Sequence, residues 1–367
     1  MDLLIQKEIL ANGLQIVQNA ITQKSSLPIL SNILLETDGK EFKLTATDLD
    51  IGICSMIPLA SEQPGAITVP SKKFFDIIRS LPDNNDVNLS IKKNNSISIK
   101  SGKAQFKILG LPKEDFPTLP LFEDKDAVTV PQKELKEMFN LTDFAISKDD
   151  ARHVLTGVLF TIKGDSISVV ATDGRRMAVI KKKAGKKAAT EREVVIPLKT
   201  VQEVKRLLGD EGEVKIQFND NQVLFSLPSS FVISRLIEGE YPDYQKVIPE
   251  KSAKVITVLR EEFLSAVRRV SILADQDSQA IRMNIQKTKM TLSKNTPYLG
   301  EAREEVSVEY TDDKELEIGF NPRYLMDVLR NLEGEKVSFE VYDSTKPGVI
   351  RKGDEYTYVA LPMQLVA

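Results

Sequence analysis

Three aspartates are the residues whose type and spacing could support metal chemistry in this chain. Asp48 and Asp50 alternate along a predicted strand in TATDLDIGI (45–53), so both carboxylates could point to one face and bind a divalent cation. Asp173 takes the matching position in VATDGRRMAV (170–179). The alternative is a polar strand end followed by a turn. We favour that alternative because no further acidic cluster completes a coordination shell.

Other catalytic and metal-binding residues are too few for the common kinds of site. The single cysteine, Cys54, excludes an internal disulfide, and the single histidine, His153, stands beside no nucleophile motif. Three Gly-Lys pairs, at 39–40, 102–103 and 185–186, are not followed by Ser or Thr, so none completes a phosphate-binding loop. We therefore expect a protein that is not an enzyme and that has no cofactor and no metal.

The two aspartate segments belong to a threefold repeat, which determines how the chain must be divided. Pro70, Pro197 and Asn321 each separate a short apolar strand from an amphipathic helix, at spacings of 127 and 124 residues. These helices are predicted at 71–81, 198–208 and 322–332, and an earlier helix in each repeat is predicted at 5–20, 131–147 and 259–273. Runs of β-branched residues joined by turn signals fill the rest. The sequence thus predicts an α+β protein with domains at 1–120, 126–249 and 253–367.

The composition is that of a globular protein, and the charge is unevenly distributed. The 367 residues are 41% hydrophobic and carry a net charge of −3, whereas the six predicted helices together carry +5. Helices facing one way would form a basic surface that attracts phosphates without base recognition. The residues alone favour ordinary solvated helix faces, and the run KKKAGKK (181–187) is more typical of a loop. No signal sequence or membrane span is predicted, and we expect a cytoplasmic protein.

Six stretches together resemble the bacterial DNA polymerase III beta subunits, the sliding clamps, over the whole chain. They are SLPILSNILLETDGKEFKLTATDLDIGI (26–53), VPSKKFFDIIRSLP (69–82), RHVLTGVLFTIKGDSISVVATDGRRMAV (152–179), GEYPDYQKVIP (239–249), FNPRYLMDVL (320–329) and YVALPMQL (358–365). The resemblance implies three clamp domains, each with two helices on antiparallel sheets. It also implies a ring formed by head-to-tail dimerisation, with the helices lining a channel for double-stranded DNA.

The resemblance further implies a non-catalytic processivity factor with several protein partners. These are the replicative DNA polymerase alpha subunit, the clamp loader complex and other proteins that carry a clamp-binding motif; no membrane partner is implied. Their peptides would enter a pocket between the second and third domains. By position it includes Leu155, Thr172, Gly174, Arg175, Arg176, Met177, Pro242, Val247, Asn321, Tyr324, Val359, Pro362, Met363 and Leu365.

Departures from the family pattern bear on partner preference. Arg175 stands where His is common, Met177 where Leu is common, and Gln364 where Arg is common. The first-repeat segment ATDLDIGI lacks the Gly turn and the basic pair of the second-repeat segment, so we expect no pocket there.

The resemblance assigns two further sets of residues. The implied DNA contacts are Lys24, Lys72, Lys73, Lys148, Arg152, His153, Lys199, Lys205, Arg206, Arg268 and Arg269. The implied dimer interface packs Ile272 and Leu273 against Phe106 and Ile108 of the neighbouring copy. Two rival interpretations remain: a metal-dependent enzyme built on the three aspartates, and an adaptor that binds peptides but never surrounds DNA.

Overall fold

The computed structural model describes residues 1–21, 27–59, 63–92, 94–120, 122, 127–183, 191–274 and 280–365. These ranges contain two α-helices from each predicted repeat. They are α1 (Lys7–Val17), α2 (Ser71–Ser80), α3 (Gln132–Asn140), α4 (Leu198–Leu207), α5 (Arg260–Val270) and α6 (Pro322–Asn331). None of these helices combines the length and the apolar character needed to cross a membrane.

Strands occupy most of the remaining described chain. Up to residue 131 they are β1 (Asp2–Gln6), β2 (Asn32–Thr37), β3 (Glu41–Thr47), β4 (Ile51–Pro58), β5 (Gly65–Pro70), β6 (Asp86–Lys92), β7 (Ser96–Ser101), β8 (Ala104–Leu109) and β9 (Val128–Pro131). The next are β10 (Gly157–Lys163), β11 (Ser166–Thr172), β12 (Arg176–Lys183), β13 (Arg192–Pro197), β14 (Glu213–Phe218), β15 (Gln222–Leu227) and β16 (Ser230–Arg235). The last are β17 (Val255–Leu259), β18 (Ile281–Ile285), β19 (Lys289–Thr296), β20 (Gly300–Tyr310), β21 (Leu316–Phe320), β22 (Lys336–Glu340), β23 (Gly348–Lys352) and β24 (Tyr356–Ala360).

The first helix of each repeat is shorter than predicted, for local reasons. The segment predicted as a helix at 5–20 begins as the end of β1 and finishes as a 3-10 turn at Gln18–Ala20. In the second repeat α3 ends at Asn140, where the Thr142 hydroxyl donates to the Met138 carbonyl and competes with continuation of the helix. A 3-10 turn at Ser271–Leu273 likewise ends the predicted helix at 259–273.

The described chain forms two compact units. The first comprises Met1–Lys133 and Gln202–Leu236, and the second comprises Glu134–Val201 and Ile237–Ala367. The first unit holds a four-stranded sheet in the order β1-β6-β7-β8 and an eight-stranded sheet in the order β5-β2-β3-β4-β16-β15-β14-β9. The second unit holds a twelve-stranded sheet in the order β13-β10-β11-β12-β24-β23-β22-β17-β20-β19-β18-β21. The strand pairs of all three sheets are antiparallel.

The repeat is visible in the order of the strands. Each repeat contributes two four-stranded blocks, and a block of one repeat joins a block of the next at β4 with β16 and at β12 with β24. Apolar side chains such as Phe74 and Ile78 of α2 and Leu325 and Val328 of α6 are buried, as the helical periodicity predicts. The two joints explain why the compact units do not coincide with the three repeats.

Candidate functional site

The two aspartate segments fold into the same turn. In the second repeat the Asp173 carboxylate accepts hydrogen bonds from the backbone N–H groups of Arg175 and Arg176, at 2.9 and 3.0 Å, and the Thr172 hydroxyl accepts one from Gly174 N–H. In the first repeat Asp48 accepts from the N–H groups of residues 50 and 51, and Thr47 accepts from residue 49. Both aspartates therefore act as turn-forming groups.

The first-repeat turn forms with Leu49 in the place that Gly174 takes in the second repeat. Leu49 adopts φ +80°, close to the +83° of Gly174. The two turns differ in the residue that pairs with the threonine. Gly52 lies opposite Thr47 in the first repeat, and Met177 lies opposite Thr172 in the second. A Cβ atom on Gly52 would lie 2.7 Å from Cδ2 of Leu119, so the chain's own leucine fills the place of the missing side chain. This packing agrees with the expectation that the first repeat offers no pocket.

The geometry also bears on the metal interpretation. Within the described ranges, no group of three or more His, Cys, Asp or Glu residues could hold a metal ion. The carboxylate of Asp173 is further engaged by the guanidinium of Arg176, with its Nε atom 3.1 Å from Oδ2. Neither turn presents the several convergent oxygens that Ca²⁺ or Mg²⁺ requires.

Several predicted pocket residues share one apolar cluster in the second unit. Leu155, Met177 and Val359 are buried in it together with Tyr241. Val359 of β24 lies directly opposite Met177 of β12 in the sheet, which places side chains from two repeats on one face. The cluster forms an apolar floor beneath the turn at 173–176.

The linker between the second and third repeats covers one side of this floor. Tyr244 and Ile248 pack against the cluster, whereas Val247 is 58% exposed and Pro242 is exposed. The family resemblance assigns Pro242 and Val247 to the site but not Tyr241, whose ring is buried in the floor. The aromatic residues flanking Pro242 in EYPDY were the available signal, because such residues in a linker are expected to pack on the core.

Arg176 is the centre of a buried polar network rather than an exposed basic residue. Its Nη1 atom lies 2.7 Å from the Asp327 carboxylate, and its Nη2 donates to the Phe144 carbonyl. Its guanidinium carbon lies 4.6 Å from the centre of the Tyr324 ring. We call Arg176, Asp173, Asp327, Tyr324 and Phe144 the arginine cluster. It connects the turn to helix α6.

Electrostatics in the arginine cluster favour the charged guanidinium. Burial acts to lower the pKa of Arg176, but Tyr358 and the carboxylates of Asp327 and Asp173 raise it above its usual value. The Tyr358 hydroxyl donates to the Tyr324 carbonyl at 2.9 Å, which ties β24 to the same helix. The family resemblance assigns Arg176 and Tyr324 to this site. The role of Asp173 and Asp327 as partners of Arg176 is seen only in the structure.

The C-terminal segment forms the remaining wall. Leu361 N–H donates to the Arg175 carbonyl, and Met363 N–H donates to the Gly319 carbonyl at 2.8 Å. Leu365 packs over Gly319, where a Cβ atom would lie 2.7 Å from its Cδ2. Pro362 and Met363 are half-buried beside this contact. Asn321 begins α6 by accepting a hydrogen bond from Arg323 N–H, so its amide is a helix cap.

The arrangement combines an apolar floor with a partly exposed rim. Its floor is apolar, and its rim carries the exposed residues Gly174, Arg175 and Val247, together with the half-buried Met363. Methionine side chains adapt to differently shaped partners. The site offers apolar contact and backbone polar groups, but no arrangement of nucleophile and base.

All but one of the predicted DNA contacts lie among the described residues. Lys24 lies outside the described residues. Exposed side chains are those of Lys72, Lys73, Lys148, Arg152, His153, Lys199, Arg206, Arg268 and Arg269, and Lys205 is half-buried.

Three of these arginines also have protein partners. Arg206 donates to the carbonyls of Gln15 and Ile16 at the end of α1. Arg152 donates to the Asp173 carbonyl at 3.1 Å, and Arg269 forms a two-point ion pair with Glu304. These contacts stabilise the protein itself. The family resemblance does not predict them.

The predicted interface residues lie near the surface. Ile272 is 75% exposed at the end of α5, and Leu273 is half-buried beside it. Phe106 and Ile108 are half-buried on the same face of β8. Of these four residues only Ile272 is exposed, and a single exposed apolar residue is ordinary.

Comparison with known proteins covers the chain from end to end. Family models of the DNA polymerase III beta subunit match with its N-terminal domain at residues 1–120, its central domain at 129–243 and its C-terminal domain at 245–364. The beta sliding clamp of Pseudomonas aeruginosa is 34% identical over 366 residues, covering 98% of this chain and 99% of that protein. The beta sliding clamp of Chlamydia muridarum is 31% identical over 365 residues, covering 100% and 99%.

Solved structures agree with the sequence relatives. The DNA polymerase sliding clamp of Bacillus subtilis superposes with a TM-score of 0.95 at 31% identity, and a sliding clamp of Pseudomonas aeruginosa with 0.93 at 33%; each match covers both chains completely. The three repeats, the antiparallel sheets and these full-length matches confirm the predicted fold class of three clamp domains. The chain therefore belongs to the DNA polymerase III beta subunit family, the sliding clamps, which are non-catalytic processivity factors of DNA replication.

Proposed function

We propose that two copies of this chain form a closed ring around duplex DNA and tether the replicative polymerase through the apolar site described above. The observation that carries the ring is a pair of unmatched sheet edges. Strand β8 ends the four-stranded sheet, and residues 300–307 of β20 pair with β19 on one side and with no described strand on the other.

The two internal joints indicate which edges should meet. At the first joint β4, the last strand of the block β5-β2-β3-β4, pairs with β16, the last strand of the block β9-β14-β15-β16. At the second joint β12, the last strand of the block β13-β10-β11-β12, pairs with β24, the last strand of the block β17-β22-β23-β24. The corresponding strands without such a partner are β20 in the third repeat and β8 in the first. Pairing of β20 with β8 of a second copy makes the third joint equivalent to the other two. Two such contacts close a head-to-tail homodimer.

The apolar residues beside the two edges support the same contact. Ile272 and Leu273 lie next to the β19–β20 hairpin, because the Thr296 hydroxyl donates to the Leu273 carbonyl. Phe106 and Ile108 share the less exposed face of β8. Joining the edges brings these residues together and removes them from water, which is the main driving force for association.

The apolar site is proposed to bind one peptide segment from each partner. The partners are the DNA polymerase alpha subunit, the clamp loader complex and other proteins with a clamp-binding motif. An adaptable floor containing Met177 and Met363 suits several related apolar sequences, and the exposed Arg175 lies at its rim.

DNA is proposed to contact the exposed basic residues without base recognition. The exposed helix residues among them are Lys72, Lys73, Lys199, Arg206, Arg268 and Arg269, and the segment before β10 carries Lys148, Arg152 and His153. Such contacts are weak and salt-dependent, and a closed ring retains DNA by topology even when they are weak. We propose domain boundaries at 1–120, 126–249 and 253–367 and a cytoplasmic location, where this role is performed.

Loading onto nicked circular DNA tests the ring. A bacterial clamp loader and ATP would place the chain on a nicked circle, and bound protein would be measured before and after cutting with a restriction enzyme. Retention on the circle and loss after linearisation are expected, because a topological link slides off free ends.

Equal retention on both forms would show that ordinary affinity holds the protein to DNA. Retention on neither form, together with normal peptide binding, would favour the adaptor interpretation, in which the chain binds peptides without surrounding DNA. A matched control uses Lys72→Ala with Lys73→Ala, which should speed passive loss from DNA without abolishing the dependence on a closed circle.

A further inference from the structure

We propose that the outer edge of β5 is a docking site for an extended, basic segment of a partner protein, which adds to the sheet as one further strand. The site lies in the first repeat and uses none of the residues assigned above to the apolar site, to DNA or to the contact between copies. An exposed strand edge, a cavity beside it and an excess of carboxylates support the proposal.

The backbone of Ala66 faces the outer side of the eight-stranded sheet. β5 is the first strand of that sheet and pairs with β2 on its inner side. On its outer side Thr68 exchanges two hydrogen bonds with Leu111, each of 3.0 Å. Because the polar backbone groups of alternate residues in an antiparallel strand point to the same side, the N–H and C=O of Ala66 also point outward.

The segment that pairs with Thr68 turns away before it reaches Ala66. Pro112 follows Leu111 and has no N–H, and a 3-10 turn begins at Lys113. Within the described ranges Ala66 forms no backbone hydrogen bond on this side. Its backbone therefore offers one donor and one acceptor to an added strand, which is how extended peptides commonly bind to a sheet edge.

The same edge is protected in the other two repeats. Bridges equivalent to that of the first repeat occur at Val195 and Gly319. Two residues before these bridges the second repeat has Glu193 and the third has Glu317, both exposed, whereas the first repeat has Ala66. Charged side chains on an edge strand hinder its pairing with other strands. Of the three equivalent positions, the one in β5 therefore lacks this protection.

A cavity of about 700 Å³ adjoins the unprotected edge. Gly65 and Ala66 line it on the side of the strand, and Pro112 and Lys113 line it on the side of the departing segment. The small side chains of the first two residues leave the space beside the strand open. The cavity thus provides room for an added strand at the place where the backbone groups are free.

Carboxylates outnumber amines around the cavity. Its ionisable residues are Glu36, Asp38, Glu114, Lys43 and Lys113. Both lysines are already paired, because Lys113 Nζ lies 3.2 Å from the Glu36 carboxylate and Lys43 Nζ lies 2.7 Å from that of Glu41. Among the described residues no cation lies within 4 Å of Asp38 or Glu114. Charge complementarity therefore favours a basic segment over an acidic one.

The sheet register shows how a basic side chain would reach a carboxylate. Glu36 of β2 lies directly opposite Ala66 of β5. A residue paired with Ala66 on its other side projects from the same face of the sheet. Two strand spacings, about 10 Å, separate that residue from Glu36, and a lysine or arginine side chain and the glutamate span this distance together. The small Ala66 side chain between them does not block the path.

Binding of a model peptide tests the docking site. The probe is a short fluorescein-labelled peptide in which valine and lysine alternate, and its binding to the full chain is measured by fluorescence anisotropy. One control peptide has glutamate in place of lysine, and a second has a methyl group on every backbone nitrogen. Each control should bind about tenfold more weakly, because the first reverses the charge and the second cannot donate to a strand edge.

Substitutions locate the peptide on the chain. Ala66→Lys protects the β5 edge with a charge, and Glu114→Lys removes an unpaired carboxylate, so each should weaken binding of the probe about tenfold. Asp220→Lys is the matched control, since Asp220 is exposed in the turn between β14 and β15 and should leave the affinity unchanged. Thermal unfolding of each variant should match that of the parent chain, which shows that the variants are folded.

Four results would overturn the proposal. No binding of the valine–lysine peptide, or equal binding of its methylated form, would exclude strand addition. Equal binding of the glutamate form would exclude selection by charge. Displacement of the probe by a polymerase-derived peptide, or an unchanged affinity of Ala66→Lys, would place the probe elsewhere on the chain. The ring is tested separately by the restriction-enzyme experiment, so its outcome does not depend on this one.

Discussion

At the scale of single residues, the turn at the functional site shows what glycine contributes. Gly174 adopts φ +83°, and a Cβ atom there would lie 2.3 Å from Nη1 of Arg152. Gly174→Ala should lower the free energy of unfolding by about 1–2 kcal/mol from backbone strain, and more from displacement of Arg152. Urea unfolding of the variant measures the sum.

A matched glycine separates the two contributions to that loss. Gly353 adopts φ +59° with nothing within 4 Å of a Cβ atom, so Gly353→Ala should show the backbone part alone. When Arg152→Ala is added to Gly174→Ala, the loss in unfolding free energy caused by the glycine substitution should fall to about that of Gly353→Ala. Equal effects of the two single glycine variants would contradict a role for Arg152 in restricting position 174.

Arg176 carries the second prediction at this scale. Arg176→Met preserves much of the side-chain volume but removes the guanidinium that lies closest to Asp173 and Asp327, at a cost of about 3 kcal/mol. Peptide affinity should fall as well, because the guanidinium that packs on the Tyr324 ring is lost. Calorimetric peptide titration and urea unfolding measure the two effects.

The neighbouring arginine is the control for Arg176. Arg175→Met alters an exposed residue and should change stability by no more than about 0.5 kcal/mol. If Arg176→Met were equally harmless to stability and to peptide binding, the arginine cluster would not support the site.

At the scale of elements, periodicity located all six helices but not their ends. Apolar spacing identified the buried stripe of α5, with Phe263, Val267 and Val270 buried. The ends depend on local competition, such as the bond from the Thr142 hydroxyl to the Met138 carbonyl, which periodicity does not reveal. The apolar floor was accessible through family resemblance only, because the sequence cannot distinguish a leucine in a groove from a leucine in an ordinary core.

The C-terminal segment carries the prediction at this scale. Pro362→Ala with Met363→Ala should weaken binding of a polymerase-derived peptide by about 2–5 kcal/mol if both side chains are buried by the peptide. Dimerisation should not change, because the segment is held to β21 by the backbone bond from Met363 N–H to the Gly319 carbonyl, which the substitutions keep. Calorimetry and light scattering on the same sample test both statements. Unchanged peptide affinity would refute this wall of the site.

At the scale of the whole molecule, the repeat could be found from sequence, but the joints could not. The spacing of Pro70, Pro197 and Asn321 gives three repeats, yet it does not show that β4 pairs with β16 or β12 with β24. Sheet pairing between distant strands depends on edge hydrogen bonds, which every exposed strand offers equally. Once the two joints are known, the unmatched edges of β8 and β20 indicate how copies assemble.

The interface prediction follows from those edges. Ile272→Ala with Leu273→Ala should shift the dimer toward monomer, with a loss of about 2–5 kcal/mol if the contact with Phe106 and Ile108 buries both side chains. Leu4→Ala is the matched control: Leu4 is 60% exposed on β1, at the opposite edge of the sheet that ends in β8. Sedimentation equilibrium measures the dimer constant of each variant. Because one ring contains two such contacts, the double substitution acts twice per dimer, and an unaltered constant would place the interface elsewhere on the chain.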